Sequence, residues 1–274
     1  MPVSLSAVHP VVYEARVAQL RAGRRIRDRV DRVPFARRRV GSDLPWVGVR
    51  HESLLRRRLG TTDPALQEAK IVNLRLAVRD LDRVVVEPGE VLSFWDRVGA
   101  PSEARGFVDG LVLVAGDVAT GTGGGLCQLA NLLYWMALHG PFDVVEHHHH
   151  GFDPFPDEGR VLPFGSGASV FYNYVDLRVR NATDGAVEVR AWVGATHLHG
   201  EIRSDRAWPH AYHVEERAHR FTRDAAGRVR RRNELWRRTV DRRTGAVTAT
   251  TAITVNDSLV KYVVPEALIA GIEA

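Results

Sequence analysis

Cysteine and lysine are nearly absent from this 274-residue chain, which has one cysteine, Cys127, and only two lysines, Lys70 and Lys261. A single cysteine cannot form an internal disulfide, so the framework of a disulfide-rich secreted protein is excluded. Because lysine is so rare, arginine carries the formal charge of +5. Such a bias is typical of GC-rich genomes. Attraction to anionic partners, including membrane surfaces and phosphorylated substrates, stays open as a second explanation.

Long hydrophobic runs are also missing. No stretch reaches the roughly 18 unbroken apolar residues of a transmembrane helix. The first ten residues lack the basic segment and apolar core of a signal peptide. We therefore expect a cytoplasmic protein without a transmembrane segment, with peripheral membrane contact left open. The densest basic segment, residues 16–39, lacks the interleaved aromatics of nucleic-acid-binding proteins, so nucleic acid is not predicted as a partner.

The apolar periodicity predicts an α+β fold in three parts. An N-terminal basic helical segment (1–44) precedes a mixed α/β core (45–204) built around one buried helix, and a β-rich extension (205–274) forms an antiparallel meander packed on that core. The predicted helices are 11–33, 51–59, 64–81 and 128–139. The predicted strands of the core include 84–86, 106–114, 143–146, 169–180 and 186–193, the last two joined by a hairpin turn at 181–185.

One segment, residues 121–153, contains most of the residues that could take part in catalysis or metal binding. Three consecutive glycines, Gly123, Gly124 and Gly125, precede the lone cysteine, and apolar residues then recur at helical spacing up to a Gly-Pro breaker. This pattern places Cys127 in the first turn of a buried helix, where unpaired N–H groups and the helix dipole favour the thiolate. A buried cysteine that serves only as a small apolar residue is the alternative.

Four consecutive histidines follow the cysteine by about twenty residues, at the end of a strand-like run. Folding back would bring an imidazole beside the sulfur, which predicts a cysteine-dependent acyl-transfer enzyme. The predicted roles are nucleophile for Cys127, base for His150 or His148, orienting acid for Asp153, and oxyanion stabilisation by Gln128 and the amides of Gly124 and Gly125.

A metal site is a second hypothesis for the same histidines. Residues two apart on an extended strand share a face, so His148 and His150 could chelate zinc or iron, joined by Cys127 or Asp153. No other cofactor is predicted. A second alternating set on a later predicted strand consists of His197, His199 and Glu201.

A non-catalytic binding module is the third hypothesis. The glycine loop and nearby aromatic side chains would then form a pocket for a peptide or another anionic ligand. The candidate ligand-contacting residues are Gly123, Gly124, Gly125, Trp46 and Phe94. Trp95 and Trp135 are expected in the core instead.

Several sequence elements resemble the VanW family, named for accessory proteins of vancomycin-resistance gene clusters. The resemblance covers about residues 45–200, and the layout is similar to that of the short VanW proteins without a signal peptide. It implies an association with glycopeptide resistance and makes a cell-wall precursor peptide or a related amide the expected substrate. The matching elements are Lys70-Ile71-Val72-Asn73-Leu74, Pro88 to Trp95, Gly99 to Phe107, Gly123 to Gln128, Glu146 to His150, and Asp176-Leu177 with Asn181.

The histidine run departs in part from the family pattern. Many longer members show a Glu-Arg-His-x-His-like segment, which places His148 and His150 on the histidine positions. Many also carry an Asp-Ala-Thr-Val-like segment, and residues 167–170 read Gly-Ala-Ser-Val here. If that aspartate orients a histidine in relatives, another carboxylate, Asp153 or Asp157, must do so in this chain.

Overall fold

The computed structural model describes residues 10–57, 63–114, 117–149, 151–157 and 161–272. Its helices are α1 (Pro10–Val30), α2 (Ala65–Leu81), α3 (Phe94–Val98) and α4 (Cys127–Leu138). Its strands are β1 (Trp46–Leu54), β2 (Val84–Val86), β3 (Val91–Ser93), β4 (Asp109–Val114), β5 (Asp117–Thr122), β6 (Phe142–Glu146), β7 (Phe152–Asp153), β8 (Arg178–Asn181), β9 (Val187–Val193), β10 (His197–Ser204), β11 (His210–Arg223), β12 (Val229–Asp241), β13 (Val247–Val260) and β14 (Ile269–Ile272).

The strands form four sheets over the described residues. A four-stranded sheet has the order β1-β10-β9-β2, and a three-stranded sheet has the order β3-β8-β6. A five-stranded sheet, β14-β11-β12-β13-β7, holds the C-terminal strands, and β4 with β5 makes a two-stranded ribbon. The predicted α+β class is confirmed. Within the described residues, no helix is long and apolar enough to span a membrane.

Helix α4 lies at the centre of the hydrophobic core. Eight of its twelve residues are buried, and the helix packs against β1, β10 and β6. Its contact with β10 is close, because a Cβ atom at Gly200 would lie 2.6 Å from the Cε of Met136. The buried helix predicted over 128–139 is confirmed, and it begins one residue earlier, at Cys127.

The helix predicted over residues 51–59 is wrong. That region contributes to β1, which pairs antiparallel with β10 from Trp46 opposite Ser204 to Leu54 opposite His197. Pairing with a strand about 150 residues away satisfies the backbone of β1, and a local apolar pattern does not reveal such a partner. Residues 58–62 lie outside the described part of the chain.

The long strand predicted over 169–180 and its hairpin to 186–193 are also wrong. Only the end of that stretch forms a strand, β8, which pairs with β3 and β6, whereas β9 pairs with β2 and β10. The side-chain amide of Asn181 donates to the carbonyls of Val86 and Gly185, both at 2.8 Å. These bonds fix a turn that carries the chain from one sheet to another.

The predicted C-terminal meander is confirmed as β11, β12 and β13. The first of these strands, β11, has a bulge at Ala218, whose φ is 51°. Two further strands join the edges of this sheet in parallel, β14 beside β11 and β7 beside β13. Because β7 follows the histidine run directly, the C-terminal sheet fixes the position of that part of the chain.

Helix α1 is attached to the rest of the molecule by arginine side chains. Arg24 forms two hydrogen bonds with the carboxylate of Glu146, and Arg178 forms two with Asp28, at 2.6 and 2.7 Å. Arg21 donates to the carbonyl of a residue in the segment that precedes β8. The predicted helix over 11–33 is confirmed and ends at Val30.

Candidate functional site

A cavity of about 1120 Å³ brings together parts of the chain that are distant in sequence. Its walls come from α1, β1, α2, the N-terminal end of α4, residues 161–167 and β13. The sequence-predicted site residues that line it are Gly123, Gly125, Cys127, Gln128 and Asp153. The N-terminal helix, the core and the C-terminal sheet therefore all contribute to one candidate site.

The three glycines that precede the cysteine are required by close packing. Gly123 and Gly125 have φ values of 79° and 88°, which L side chains rarely adopt. Gly124 lies against β4, where an added Cβ would be 2.1 Å from the carbonyl carbon of Gly110. The side chain of Asn73 fixes the turn by donating to the carbonyl of Gly124 at 2.9 Å.

Because of this packing, the three glycines do not share the role predicted for them. Gly123 and Gly125 line the cavity, whereas Gly124 is buried and is not among the lining residues. The amide of Gly124 donates to the carbonyl of Gly121 at 2.9 Å, so it is not available for an oxyanion.

Cys127 is the first residue of α4 and faces the cavity with a partly buried side chain. Burial raises the pKa of its thiol, although the N–H groups of Val170 and of Cys127 itself stabilise the thiolate. This pKa shift is opposite in direction to the one expected from the position at the helix N-terminus alone, because the cost of burying a charged sulfur is larger than the gain from these donors. The thiol is therefore protonated in the resting protein at neutral pH.

Unpaired backbone donors surround the start of α4. The first capping position, Leu126, has a helical backbone and supplies no side-chain cap. Among the hydrogen bonds between described residues, none has the N–H of Gly125 or Leu126 as its donor, whereas the N–H of Cys127 bonds its own sulfur. Free N–H groups at a helix N-terminus are suited to an anionic oxygen.

Gln128 presents an acceptor rather than a donor. Its Nε2 donates to the hydroxyl of Ser53 at 2.8 Å and to the carbonyl of Leu54 at 3.0 Å. Its Oε1 is buried without a hydrogen-bond partner in the described structure. The amide is oriented by these two acceptors, so the oxyanion role predicted for Gln128 has no free N–H to support it.

His147 is held in a structural position. Its ring stacks on Tyr134 with 3.9 Å between ring centroids, and its Nε2 lies 2.7 Å from the carbonyl of Gly167. Burial lowers the pKa of His147 to about 4. Tyr134 is seven residues beyond Cys127, which corresponds to about 10 Å along the helix axis. His147 is not among the residues that line the cavity with Cys127.

The other described histidines of the run lie in different environments. His148 is exposed, with its Nε2 3.0 Å from Oε1 of Glu146, and it does not line the cavity. His149 lines the cavity together with Cys127. His150 lies outside the described residues. The structure thus adds His149 to the site, and the two-residue alternation with half-buried His147 is the sequence signal that could have identified it.

Asp153, the predicted orienting acid, is anchored by the C-terminal sheet. Its Oδ2 accepts a hydrogen bond from Arg231 at 3.0 Å and another from the hydroxyl of Tyr262 at 2.8 Å. Arg231 is also paired with Asp157, and its guanidinium lies over the ring of Phe164. Sequence reasoning missed Arg231 because an arginine-rich strand is ordinarily read as a solvated face.

The two aromatic residues predicted to contact ligand lie elsewhere. Trp46 is 53% exposed at the start of β1, and Phe94 is 1% exposed in the core, where it packs edge-on against Trp95. Neither Trp46 nor Phe94 lines the cavity.

No group of three or more His, Cys, Asp or Glu side chains is arranged for a metal ion within the described ranges, which omit His150. The alternating set on β10 is engaged in other contacts. His199 stacks on Trp192 and lies 3.2 Å from a carboxylate oxygen of Glu52, while Glu201 pairs with Arg50 and Arg203.

Comparison with known proteins identifies the core of the chain. Residues 69–203 match the family model described as "VanW like protein". Vancomycin B-type resistance protein VanW of Enterococcus faecalis is 30% identical over 165 residues, which cover 60% of this chain and 60% of that protein. Uncharacterized protein YoaR of Bacillus subtilis is 28% identical over 122 residues, 43% of this chain and 38% of that protein.

No solved structure matches the chain. The chain spans about 60% of the enterococcal relative and less of the Bacillus one. The matched region contains most of α2, the glycine turn, Cys127 and the histidine run, whereas α1 and strands β11 to β14 lie outside it. Residues 69–203 of this chain therefore form a region that is similar to the VanW family.

Proposed function

We propose that this chain is a cysteine-dependent acyl-transfer enzyme or amide hydrolase whose substrate binds in the cavity. One observation carries the proposal: Cys127 faces the cavity from the first turn of α4, beside the N–H groups of Gly125 and Leu126, for which the described residues supply no acceptor. A nucleophile next to oriented donors is the arrangement that acyl transfer requires.

The proposed reaction begins with proton transfer from the Cys127 thiol to the imidazole of His149. The sulfur then forms a bond with the carbonyl carbon of an amide, and the backbone N–H groups at the start of α4 stabilise the oxyanion. Collapse of this intermediate breaks the C–N bond, and the imidazolium returns the proton to the departing amine. Water or an acceptor amine then attacks the thioester and regenerates the thiol.

The raised pKa of Cys127 makes a base necessary. A thiol that is protonated at neutral pH attacks only when a neighbouring group removes its proton. His51, His149 and His197 are the described imidazoles that line the cavity with Cys127, and His149 is the one that belongs to the histidine run predicted to supply the base.

We propose a cell-wall precursor peptide or a related amide as the substrate, and a contribution to glycopeptide resistance as the biological role. The support is the similarity of residues 69–203 to the VanW family, one of whose members is named a vancomycin B-type resistance protein. The cavity is large enough for a short peptide, since ligand sites for compact molecules occupy roughly 300–1,000 Å³.

The test is turnover of a cell-wall precursor pentapeptide, followed by mass spectrometry of the peptide. The proposal predicts cleavage or transfer by the wild type, no activity in Cys127→Ala, and a loss of about 100-fold in His149→Gln from removal of the base. His148→Gln is the matched control and should retain activity. Full activity in a folded Cys127→Ala protein would refute the proposal.

A non-catalytic binding module is the second candidate, and the protonated thiol with the unpartnered Oε1 of Gln128 favours it. Both groups suit recognition of a ligand N–H. Saturable binding of the pentapeptide with no change in its mass, equal in wild type and Cys127→Ala, would support this candidate against the enzyme.

A further inference from the structure

Lys70 is a buried ammonium group whose hydrogen-bond partners are neutral. The residue is 8% exposed, and its Nζ donates to the carbonyl of Leu55 and to Oε1 of Gln67, both at 2.6 Å. Among the described residues, no carboxylate forms an ion pair with this group. The neighbouring acid, Glu68, is bound by Arg56 in a two-bond pair. A buried cation without a counter-ion is costly to the folded protein.

The side chain of Lys70 lies directly against the turn that precedes the cysteine. A Cβ atom added to Gly125 would be 2.2 Å from Cγ of Lys70. Lys70, Gln67 and Arg57 all line the cavity that also contains Cys127. Lys70 is therefore one of the residues of the candidate site, although the proposed cysteine chemistry gives it no role.

The ammonium retains one donor for a ligand. An ammonium group has three N–H donors, and two of them are used by the two neutral acceptors. Burial, assisted by the charges of Arg57 and Arg56, lowers the pKa of Lys70 to about 8. A bound anion would reverse that effect, because it favours the charged form.

We propose that Lys70 binds a carboxylate group of a peptide-like ligand in the cavity. One remaining N–H suits a single carboxylate oxygen, whereas a phosphate dianion is ordinarily held by several donors. The inference rests on the proposed use of the cavity as the substrate site, but not on any reaction at Cys127.

The small number of lysines makes a direct test possible. Protein labelled with 13C at lysine Cε gives two lysine signals, from Lys70 and Lys261, and loss of one signal in Lys70→Met assigns them. The labelled protein is titrated with acetyl-alanyl-alanine, with its C-terminal amide, and with inorganic phosphate. Lys261 serves as the internal control.

The expected result is a saturable shift of the Lys70 signal with the free carboxylate, a rise of its apparent pKa, and binding of the amide that is at least tenfold weaker. Equal responses to acid and amide, a response to phosphate alone, or no response to any probe would overturn the proposal. The titration is repeated with Cys127→Ala. A retained carboxylate response without any turnover by the wild type would refute only the proposed function, and turnover without a carboxylate response would refute only the role of Lys70.

Discussion

At the scale of single residues, the contact between Gly124 and Gly110 decides where the cysteine lies. Each glycine leaves no room for a Cβ on the other: at Gly110 that atom would be 2.7 Å from the carbonyl oxygen of Gly124. The turn can therefore reach β4 closely enough for α4 to begin at Cys127. The glycine triplet is therefore explained first by packing.

We expect Gly124→Ala to destabilise the protein by about 1–3 kcal/mol, because the neighbouring backbone cannot yield to a methyl group. Gly41→Ala is the control: nothing lies within 4 Å of its Cβ position, and the expected change is below about 1 kcal/mol. Denaturant unfolding measures both. Equal stability of the two variants would contradict the packing account.

His147 should make the protein sensitive to acid. Its pKa is lowered to about 4 in the folded protein, against 6.5 as its ordinary value. The unfolded chain therefore binds a proton at higher pH than the folded one. The contribution of the neutral ring to stability is complete above pH 6.5 and is lost as pH falls toward 4, by up to about 3 kcal/mol.

The measurement is denaturant unfolding at pH 7 and at pH 4 in wild type, His147→Phe and His148→Gln. The phenyl ring keeps the stacking on Tyr134 but has no titrating group. The His147→Phe protein should therefore lose less stability on acidification than the wild type. The exposed His148 serves as the control and should leave the wild-type difference unchanged. An unaltered pH dependence in His147→Phe would count against the assignment.

The sequence predicted the positions of the candidate-site residues only where a local pattern determines where a residue lies in the fold. Helical periodicity after the glycines was sufficient to place Cys127 at the start of a helix. The partners of Gln128 and Asp153 come from β1 and β12, which lie about 75 residues away in the chain. Such contacts leave no local pattern, so the engaged amide of Gln128 and the buried Arg231 could not be predicted.

At the scale of elements, α1 is attached through buried charge rather than an apolar interface. The side chains of Arg24 and Glu146 are 13% and 14% exposed, and those of Arg178 and Asp28 are 7% and 16% exposed. The same helix contributes Tyr13 and other residues to the cavity. Helix α1 therefore forms part of the cavity wall.

Arg24→Ala should release α1, because it removes the partner of a largely buried carboxylate, at a cost on the order of 3 kcal/mol. We expect amide hydrogen exchange within α1 to increase about 100-fold and alkylation of Cys127 to become faster. Arg38→Ala is the control, since the pair of Arg38 with Glu87 is exposed and contributes less than about 1 kcal/mol. Unchanged exchange in α1 would show that other contacts hold the helix.

Whether an element could be predicted from the sequence depends on how far apart in the chain its contacting residues are. Helices α2 and α4 followed from their own apolar spacing, because each is decided within one segment. Strand β1 and the segment 169–177 were mistaken because strand pairing joins distant residues. The β3-β8-β6 sheet in particular brings together three short strands, with about 50 residues between β3 and β6 and about 30 between β6 and β8 in the chain.

At the scale of the whole molecule, the C-terminal sheet completes a site whose core is the VanW region. Its strand β13 supplies Asn256 and Ser258 to the cavity wall, and its Arg231 binds the carboxylate of Asp153 directly after the histidine run. The side chains of Arg231 and Asp153 are 4% and 2% exposed. The sheet therefore holds the histidine segment in place.

Arg231→Met should lower the free energy of unfolding by about 3–5 kcal/mol, since it leaves Asp153 buried without its cationic partner. Arg228→Met is the matched control, because Arg228 is exposed and pairs with Asp224 near the end of the same sheet. Its expected effect is below about 1 kcal/mol. Similar losses in both variants would contradict the anchoring role of Arg231.

Acylation of the lone cysteine tests the central claim most directly. Wild-type protein is treated with the p-nitrophenyl ester of acetyl-alanyl-alanine at pH 7, and its intact mass is followed with time. The account predicts one acyl group, located on Cys127, that is absent in Cys127→Ala and forms at least tenfold more slowly in His149→Gln. No adduct on Cys127, or adduct formation at an equal rate in His149→Gln, would contradict it.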